Sequence, residues 1–155
     1  MKNTYRALAY LVAAGVFVQA AAIAWAIFTI ANDVEAGAVL TSDSASNTGQ
    51  ELHGTVGMMV IPALALILFI VSLFAKIPGG VKYAAIIVGL VALQITLAFV
   101  AFGAPVVGAL HGMNALAILG VSITAASRVS TAPLSAEDEA EAQGRSIIRR
   151  RSASA

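Results

Sequence analysis

Two histidines, His53 and His111, are the residues of this sequence best suited to hold a metal centre. Each stands in a Leu-His-Gly tripeptide near the start of a long uncharged stretch. Neutral imidazole is a strong ligand for iron, copper and zinc. An ionisable side chain is costly within a bilayer, so its presence there indicates a functional site. Two histidines at one depth on facing helices can supply both axial ligands of a metal.

The two histidines are placed alike with respect to two glutamines, and this similarity indicates an internal repeat. Gln19 lies 34 positions before His53, and Gln94 lies 17 positions before His111. In each copy the glutamine stands in the first of two apolar stretches, and Leu-His-Gly lies near the start of the second. Because each copy holds two stretches, both copies enter a membrane in the same direction. The repeat therefore predicts imidazoles at similar depth, related by a pseudo-two-fold axis along the membrane normal.

The composition identifies lipid as the solvent around these residues. Of 155 residues, 59% are hydrophobic and 11% are charged, and the mean hydropathy is +0.90. Soluble domains carry about 25% charged residues. The chain has no cysteine. That absence excludes disulfides, thiolate metal sites, iron–sulfur clusters and the covalent attachment of c-type haem.

Four apolar stretches are long enough to cross a bilayer, which takes roughly 20 helical residues. They predict an all-α, integral membrane four-helix bundle over residues 1–128, built from two tandem helical hairpins. The predicted spans are about 7–31, 51–75, 83–102 and 105–127. The first stretch is too long for the roughly 7–15 apolar residues of a signal peptide. Residues 129–155 are interpreted as a polar, disordered cytoplasmic tail, since apolar residues are few there.

Local signals add detail to these spans. Thr48 and Glu51 fit a capping box that starts the second helix near Gly49. Pro62 predicts a kink further along the same helix. Three aromatic residues near span ends are interpreted as anchors at the membrane interface, namely Tyr5, Trp25 and Tyr83.

The charges that flank the spans predict the orientation in the cell membrane. Basic residues flank one side, namely Lys2, Arg6, Lys76, Lys82 and Arg128. Acidic residues flank the other, namely Asp33, Glu35, Asp43 and Glu51. By the positive-inside rule, this multi-pass protein has both termini in the cytoplasm and both histidines in the outer half of the membrane.

A b-type haem suits two histidines that face each other across an apolar slot. A glycine follows each histidine and leaves room for a flat macrocycle, and Gly57 lies one turn from His53 on the same face. The predicted cofactor-binding residues are His53, His111, Gly54, Gly57, Gly112, Gln19 and Gln94, with His53 and His111 as the metal ligands. Alternatively, the glycines serve only to pack helices closely, and the glutamines only to form hydrogen bonds between helices.

The leading functional hypothesis is a membrane b-type cytochrome-like protein that binds haem b for electron transfer or haem handling. The alternative is a cofactor-free structural or interaction subunit of a larger membrane complex, which docks through small-residue faces. No paired carboxylates, Ser/His/Asp set or phosphate-binding loop indicates an enzyme, so no catalytic residue is predicted. The expected partners are the lipid bilayer and either a membrane redox partner or a second copy of the chain, without nucleic acid.

The pattern of a glutamine in spans one and three, with Leu-His-Gly opening spans two and four, resembles an uncharacterised family of small bacterial four-span membrane proteins. Over about residues 5–128 it also resembles one four-helix half of haem A synthase. In that family, histidines on the second and fourth helices of a half-bundle ligate haem near the outer face. The resemblance implies that His53 and His111 are an axial pair.

The chain departs from haem A synthase in two respects. Haem A synthase has two such halves, whereas this chain has one. The family's glutamate, one turn before a ligand on the second helix, corresponds here to Gly49 or Gln50, and neither is acidic. The resemblance therefore implies haem binding rather than oxidation of a haem substituent.

Overall fold

The computed structural model describes residues 1–41, 43–129, 143–146 and 152, and over these residues the chain is all-α without a strand. The elements of the bundle are α1 (Lys2–Glu35), α2 (Thr48–Thr55), a π-helical turn (Val56–Val60), α3 (Ile61–Ala75), α4 (Gly80–Gly103) and α5 (Val107–Ser127). The elements α2, π-helical turn and α3 are continuous, and together they are called the second span (Thr48–Ala75). Residues 143–146 are also helical.

Four helices are long and apolar enough to cross a membrane, namely α1, the second span, α4 and α5. The prediction of an all-α, four-helix membrane bundle is confirmed, and the chain is a multi-pass membrane protein. The helices follow the predicted spans closely, although α1 exceeds its predicted span at both ends. The predicted disordered tail falls largely on residues 130–142, 147–151 and 153–155, which lie outside the described residues.

The four spans pack in a ring. The helix α1 contacts α5 and the second span, and α4 contacts α5 and α3. The second span and α5 are therefore diagonally opposite each other. Since His53 lies on the second span and His111 on α5, inward-pointing side chains at these positions meet across the centre of the bundle.

The second span begins with a capping box one residue earlier than predicted. Asn47 is the N-cap, and its side chain accepts a hydrogen bond from the backbone N–H of Gln50 at 3.0 Å. The Gln50 side-chain oxygen accepts in turn from the Asn47 N–H at 2.9 Å. A capping box is thus present, but the predicted residues Thr48 and Glu51 are wrong. Asn47 Nδ2 also donates to the carbonyl of Ala26 at 3.0 Å, and this bond to α1 favours the observed register.

A π-helical turn precedes Pro62, the residue at which a kink is predicted. The N–H of Ile61 bonds to the carbonyl of Val56, five residues back rather than four. Proline has no N–H, so the α-helical hydrogen bond at Pro62 is missing in any case. A change to the π-helical pattern just before it therefore loses few further hydrogen bonds. Such π-helical turns are a recognised source of helix kinks and often occur beside functional sites. This one starts three residues after His53.

The close-packed core lies at the end of the bundle that holds the N-terminus and the turn 76–79. Among its fully buried side chains are Tyr5, Val12, Leu68 and Ile87. The Tyr5 hydroxyl donates to the carbonyl of Gly80 at 3.0 Å and so links α1 to α4 across the ring. The interpretation of Tyr5 as an interfacial anchor is therefore wrong, because its side chain is 0% exposed.

We expect Tyr5→Phe to destabilise the bundle by about 1–2 kcal/mol, because it removes a buried hydrogen bond and leaves the ring packing intact. The measurement is the thermal unfolding midpoint in detergent micelles. Tyr10→Phe is the matched control, since Tyr10 lies on the same helix and is 51% exposed. Equal midpoints for the two variants would contradict the prediction.

Candidate functional site

A cavity of about 330 Å³ lies between the helices at the end of the bundle opposite the core. Its polar lining consists of His53, His111 and Gln94. Gly54 and Gly57 contribute backbone without side chains, and the rest of the lining is apolar. The second span, α4 and α5 therefore bring both histidines to one apolar cavity.

The mouth of the cavity is bordered by apolar side chains that are exposed at the surface of the bundle. Phe99 and Phe102 on α4 belong to its lining, and they are 61% and 87% exposed. Met58 on the second span also lines it and is 48% exposed. The part of the lining that reaches the surface of the bundle is therefore apolar.

The tautomer of His53 is fixed by a backbone carbonyl. Its Nδ1 lies 3.1 Å from the carbonyl oxygen of Gln19 on α1. A carbonyl oxygen can only accept, so Nδ1 carries the proton, and in the neutral ring the lone pair is on Nε2. Within residues 1–41 and 43–129, no hydrogen bond engages this Nε2.

His111 is held in the same way by the second hairpin. Its Nδ1 lies 3.1 Å from the carbonyl oxygen of Gln94 on α4, so the lone pair is again on Nε2. Histidines that bind metals typically donate their other ring N–H to a carbonyl or carboxylate, which fixes both the tautomer and the ring orientation. In both hairpins it is therefore the backbone carbonyl of the glutamine, not its side chain, that holds Nδ1 of the histidine.

The two imidazole rings are near neighbours across the cavity. Their centroids are 6.3 Å apart, and the ring planes are inclined at 54°. Each ring is partly buried, and the two come from diagonally opposite helices. The ring position is therefore set by the bundle as a whole and by one carbonyl from each hairpin.

A hydrogen-bond network occupies the lone pair of His111. Gln94 Nε2 lies 3.0 Å from His111 Nε2 and donates to it. Asn114 fixes the orientation of this amide, because its Nδ2 donates to Gln94 Oε1 at 2.7 Å. The same Nδ2 donates to the carbonyl of Leu90 at 2.9 Å, and Asn114 is only 8% exposed. Asn114 is absent from the predicted site residues, and its one sequence signal is an amide one turn after His111 in an apolar span.

The first hairpin lacks this network. Val56 stands one turn after His53, at the position that Asn114 occupies after His111. The Gln19 amide packs instead against Gly57, where a Cβ atom would lie 3.0 Å from Gln19 Oε1. Gln19 Nε2 is buried and has no hydrogen-bond partner among the described residues. The two glutamines, alike in sequence, therefore hold their side chains differently.

A second cavity of about 40 Å³ adjoins the first and shares Gly57, Gln94 and Ile95 with it. Its lining comes largely in pairs from equivalent places of the two hairpins: Val16 with Val91, Gln19 with Gln94, Gly57 with Ala115, and Ile61 with Ile118. Gly57 and Ala115 each lie four residues after their histidine, whereas Ile61 lies eight residues after His53 and Ile118 lies seven after His111. The one-residue difference follows the π-helical turn, which adds a residue to the second span. The spatial pairing therefore matches the internal repeat in the sequence.

The structure brings most of the predicted cofactor-binding residues to one place. The larger cavity is lined by His53, His111, Gly54, Gly57 and Gln94. The side chain of Gln19 lines the smaller cavity, and its carbonyl binds His53. Gly112 lines neither cavity, and apart from its chain neighbours and the backbone of its own helix, no described atom lies within 4 Å of the place where its Cβ would stand.

The described residues bring no three His, Asp or Glu side chains together. A zinc site with three protein ligands is therefore not formed by this part of the chain. The donor set of the cavity is two imidazoles. Comparison with protein-family models, with curated proteins and with solved structures finds no match to this chain.

Proposed function

We propose that this chain is a membrane b-type cytochrome-like protein, in which His53 and His111 ligate one haem b for electron transfer. The observation that carries the proposal is the pair of imidazoles that line one cavity from diagonally opposite helices. Each ring has its Nδ1 proton held by a backbone carbonyl, so Nε2 is the nitrogen left to ligate.

The separation of the rings supports two ligands on opposite sides of one metal. A metal–imidazole bond is about 2 Å long, and a ring centre lies roughly 1 Å behind its nitrogen. Two such ligands hold their ring centres about 6 Å apart when they lie opposite each other, and about 5 Å apart in a tetrahedral arrangement. The observed 6.3 Å between the ring centres would leave room for one metal held by both His53 and His111.

The lining of the cavity supports an apolar, flat cofactor. Gly54 leaves the wall of the second span open beside His53, whereas the space beside Gly57 is taken by the side chain of Gln19. Phe99 and Phe102 line the cavity and are exposed at the surface of the bundle, so the open side of the cavity is bordered by apolar side chains. The cavity volume of about 330 Å³ lies at the lower end of the range of about 300–1,000 Å³ that is general for ligand and cofactor pockets.

The haem would supply one-electron chemistry at iron. The chain's own residues bind and orient it: the carbonyls of Gln19 and Gln94 fix the two imidazoles, and the apolar lining excludes water. Two resident protein ligands favour electron transfer over the activation of oxygen. The flanking charges support an orientation with both termini in the cytoplasm and the site in the outer half of the cell membrane.

The proposal is tested by the reduced-minus-oxidised absorption spectrum of the protein purified from haem-replete cells. We expect a b-type spectrum for the wild type and none for the double variant His53→Ala/His111→Ala. The matched control is Leu52→Ala/Leu110→Ala, since these neighbours of the histidines are 39% and 51% exposed. A colourless wild type, or a double histidine variant that keeps the spectrum, would rule the proposal out.

One observation favours the cofactor-free interaction subunit as a second candidate. Gly108 and Gly112 stand four residues apart on α5, and apart from chain neighbours and the backbone of α5 itself, no described atom lies within 4 Å of either Cβ position. Glycines at this spacing let a neighbouring helix approach closely in a bilayer. A colourless protein whose self-association is abolished by Gly112→Leu would support this candidate instead.

A further inference from the structure

We infer that Gln94, held by Asn114, occupies the lone pair of His111 Nε2 with a hydrogen bond, which is called the mask of His111. The mask would make His111 the exchangeable ligand of the site. A small neutral ligand such as carbon monoxide could then take its place. The inference rests on the proposed function. It deepens that function, because it assigns different roles to two histidines that the repeat makes equivalent in sequence.

The mask follows from the single lone pair of a neutral imidazole. His111 Nε2 accepts a hydrogen bond from Gln94 Nε2 at 3.0 Å, so it cannot bind a metal at the same time. Ligation therefore requires Gln94 to withdraw its N–H into an apolar cavity. A buried donor without an acceptor is costly, and more so at low dielectric.

Asn114 is the positioning residue of this mask. A free glutamine side chain could rotate away and find another acceptor, but Gln94 Oε1 is held by Asn114 Nδ2 at 2.7 Å. Asn114 is itself held by the carbonyl of Leu90. The amide of Gln94 therefore stays directed at His111.

His53 meets no such competition. Val56 replaces the asparagine one turn after His53, and within residues 1–41 and 43–129 no hydrogen bond engages His53 Nε2. A metal would therefore meet no competing hydrogen bond at His53 Nε2, whereas at His111 Nε2 it would have to displace Gln94. His111 would be the more weakly held of the two ligands.

The lining of the cavity sets the class of the incoming ligand. Among the described residues no Lys or Arg lines the cavity, and the residues beside Gln94 are Ile95 and Ala98. The carboxylates of a haem b would therefore have to lie outside this part of the cavity, because an anion in the place of His111 would be buried without a counter-charge, which is strongly unfavourable. A small neutral molecule with one lone pair meets no such penalty, and carbon monoxide is the probe of this class.

The mask is tested first on the full chain produced without haem, by modification with diethyl pyrocarbonate, which attacks an imidazole nitrogen that carries a free lone pair. We expect His53 to be modified several-fold faster than His111, as followed by peptide mass spectrometry. Asn114→Val gives the second hairpin the residue that the first has at this position, Val56. The variant should therefore make the modification rates of His53 and His111 similar. Equal rates in the wild type would overturn the inference.

The exchange is tested by titrating the reduced haem-bound protein with carbon monoxide. We expect the wild type to bind it, and Asn114→Val and Gln94→Leu each to bind it about tenfold more weakly, since a competing hydrogen bond of about 1.4 kcal/mol no longer opposes His111. Thr96→Val is the control, because it removes an exposed hydrogen bond to Ala92 on the same helix and should leave the affinity unchanged.

The outcomes separate the two proposals. A wild type without haem overturns the proposed function and this inference with it. A haem-bound wild type that does not take up carbon monoxide overturns the inference alone. The inference is also overturned if Asn114→Val and Gln94→Leu leave the affinity for carbon monoxide unchanged. In that case the network has a purely structural role, which alters stability but not ligand exchange.

Discussion

His53→Ala is expected to lose at least about nine-tenths of the bound haem, whereas His111→Ala should keep a large share of it with an altered spectrum. The reason is the competition at His111, where Gln94 already occupies Nε2 at 3.0 Å. A loss of binding free energy of about 1.4 kcal/mol lowers affinity tenfold, and a metal–imidazole bond contributes more than the net hydrogen bond that opposes it. The measurement is haem per protein by the pyridine haemochrome method, together with the absorption spectrum.

Exogenous imidazole provides the control for these two variants. Each alanine substitution leaves a space of the size of one ring in the cavity wall, and added imidazole can fill it. We expect imidazole to restore the wild-type spectrum of both variants. Equal haem contents in His53→Ala and His111→Ala would contradict the predicted asymmetry, and a variant that unfolds would reveal itself by failing to respond to imidazole.

Gly49→Ala is expected to destabilise the bundle by about 3 kcal/mol or more, at the upper end for overpacking in a tightly packed interior. Gly49 lies in the first turn of α2, against α1. A Cβ at this position would stand 2.6 Å from the backbone nitrogen of Ala26 and 2.7 Å from the carbonyl oxygen of Ala22. Backbone atoms of a helix cannot rotate aside as a side chain can, so α1 and α2 must separate.

The separation would also break contacts that position the site. Asn47 Nδ2 bonds to Ala26 at 3.0 Å, and His53 Nδ1 bonds to Gln19 on the same helix at 3.1 Å. The measurement is the thermal unfolding midpoint in detergent micelles. Gly120→Ala is the control, since a Cβ at this position would meet no described atom within 4 Å apart from its chain neighbours and the backbone of its own helix. A helix interior favours alanine over glycine by about 1 kcal/mol. A Gly49→Ala protein that melts at or above the wild-type temperature would disprove the packing argument.

Hydropathy was sufficient to predict the spans because a membrane imposes one requirement on all of them. Each must be apolar over roughly 20 residues and must satisfy its backbone internally, which leaves the helix as the solution. Which residues face lipid was not predictable in this way. Leu68 and Phe74 are equally apolar and lie on the same helix, yet Leu68 is 0% exposed and Phe74 is 63% exposed. In lipid both faces of a helix are apolar, so the pattern that marks the core of a soluble helix is lost.

The sequence by itself determined that this is a four-span helical protein in which a duplicated pattern of glutamine and histidine occupies apolar spans. Composition and spacing carry that information without reference to neighbours. Tertiary structure alone decided that Gln94 turns toward His111 whereas Gln19 does not turn toward His53, and that Tyr5 belongs to the core. Those outcomes depend on helix rotation and on contacts between residues far apart in the chain, such as Asn114 with Leu90 and Tyr5 with Gly80. Periodicity within one segment cannot encode which atoms of another segment lie opposite it.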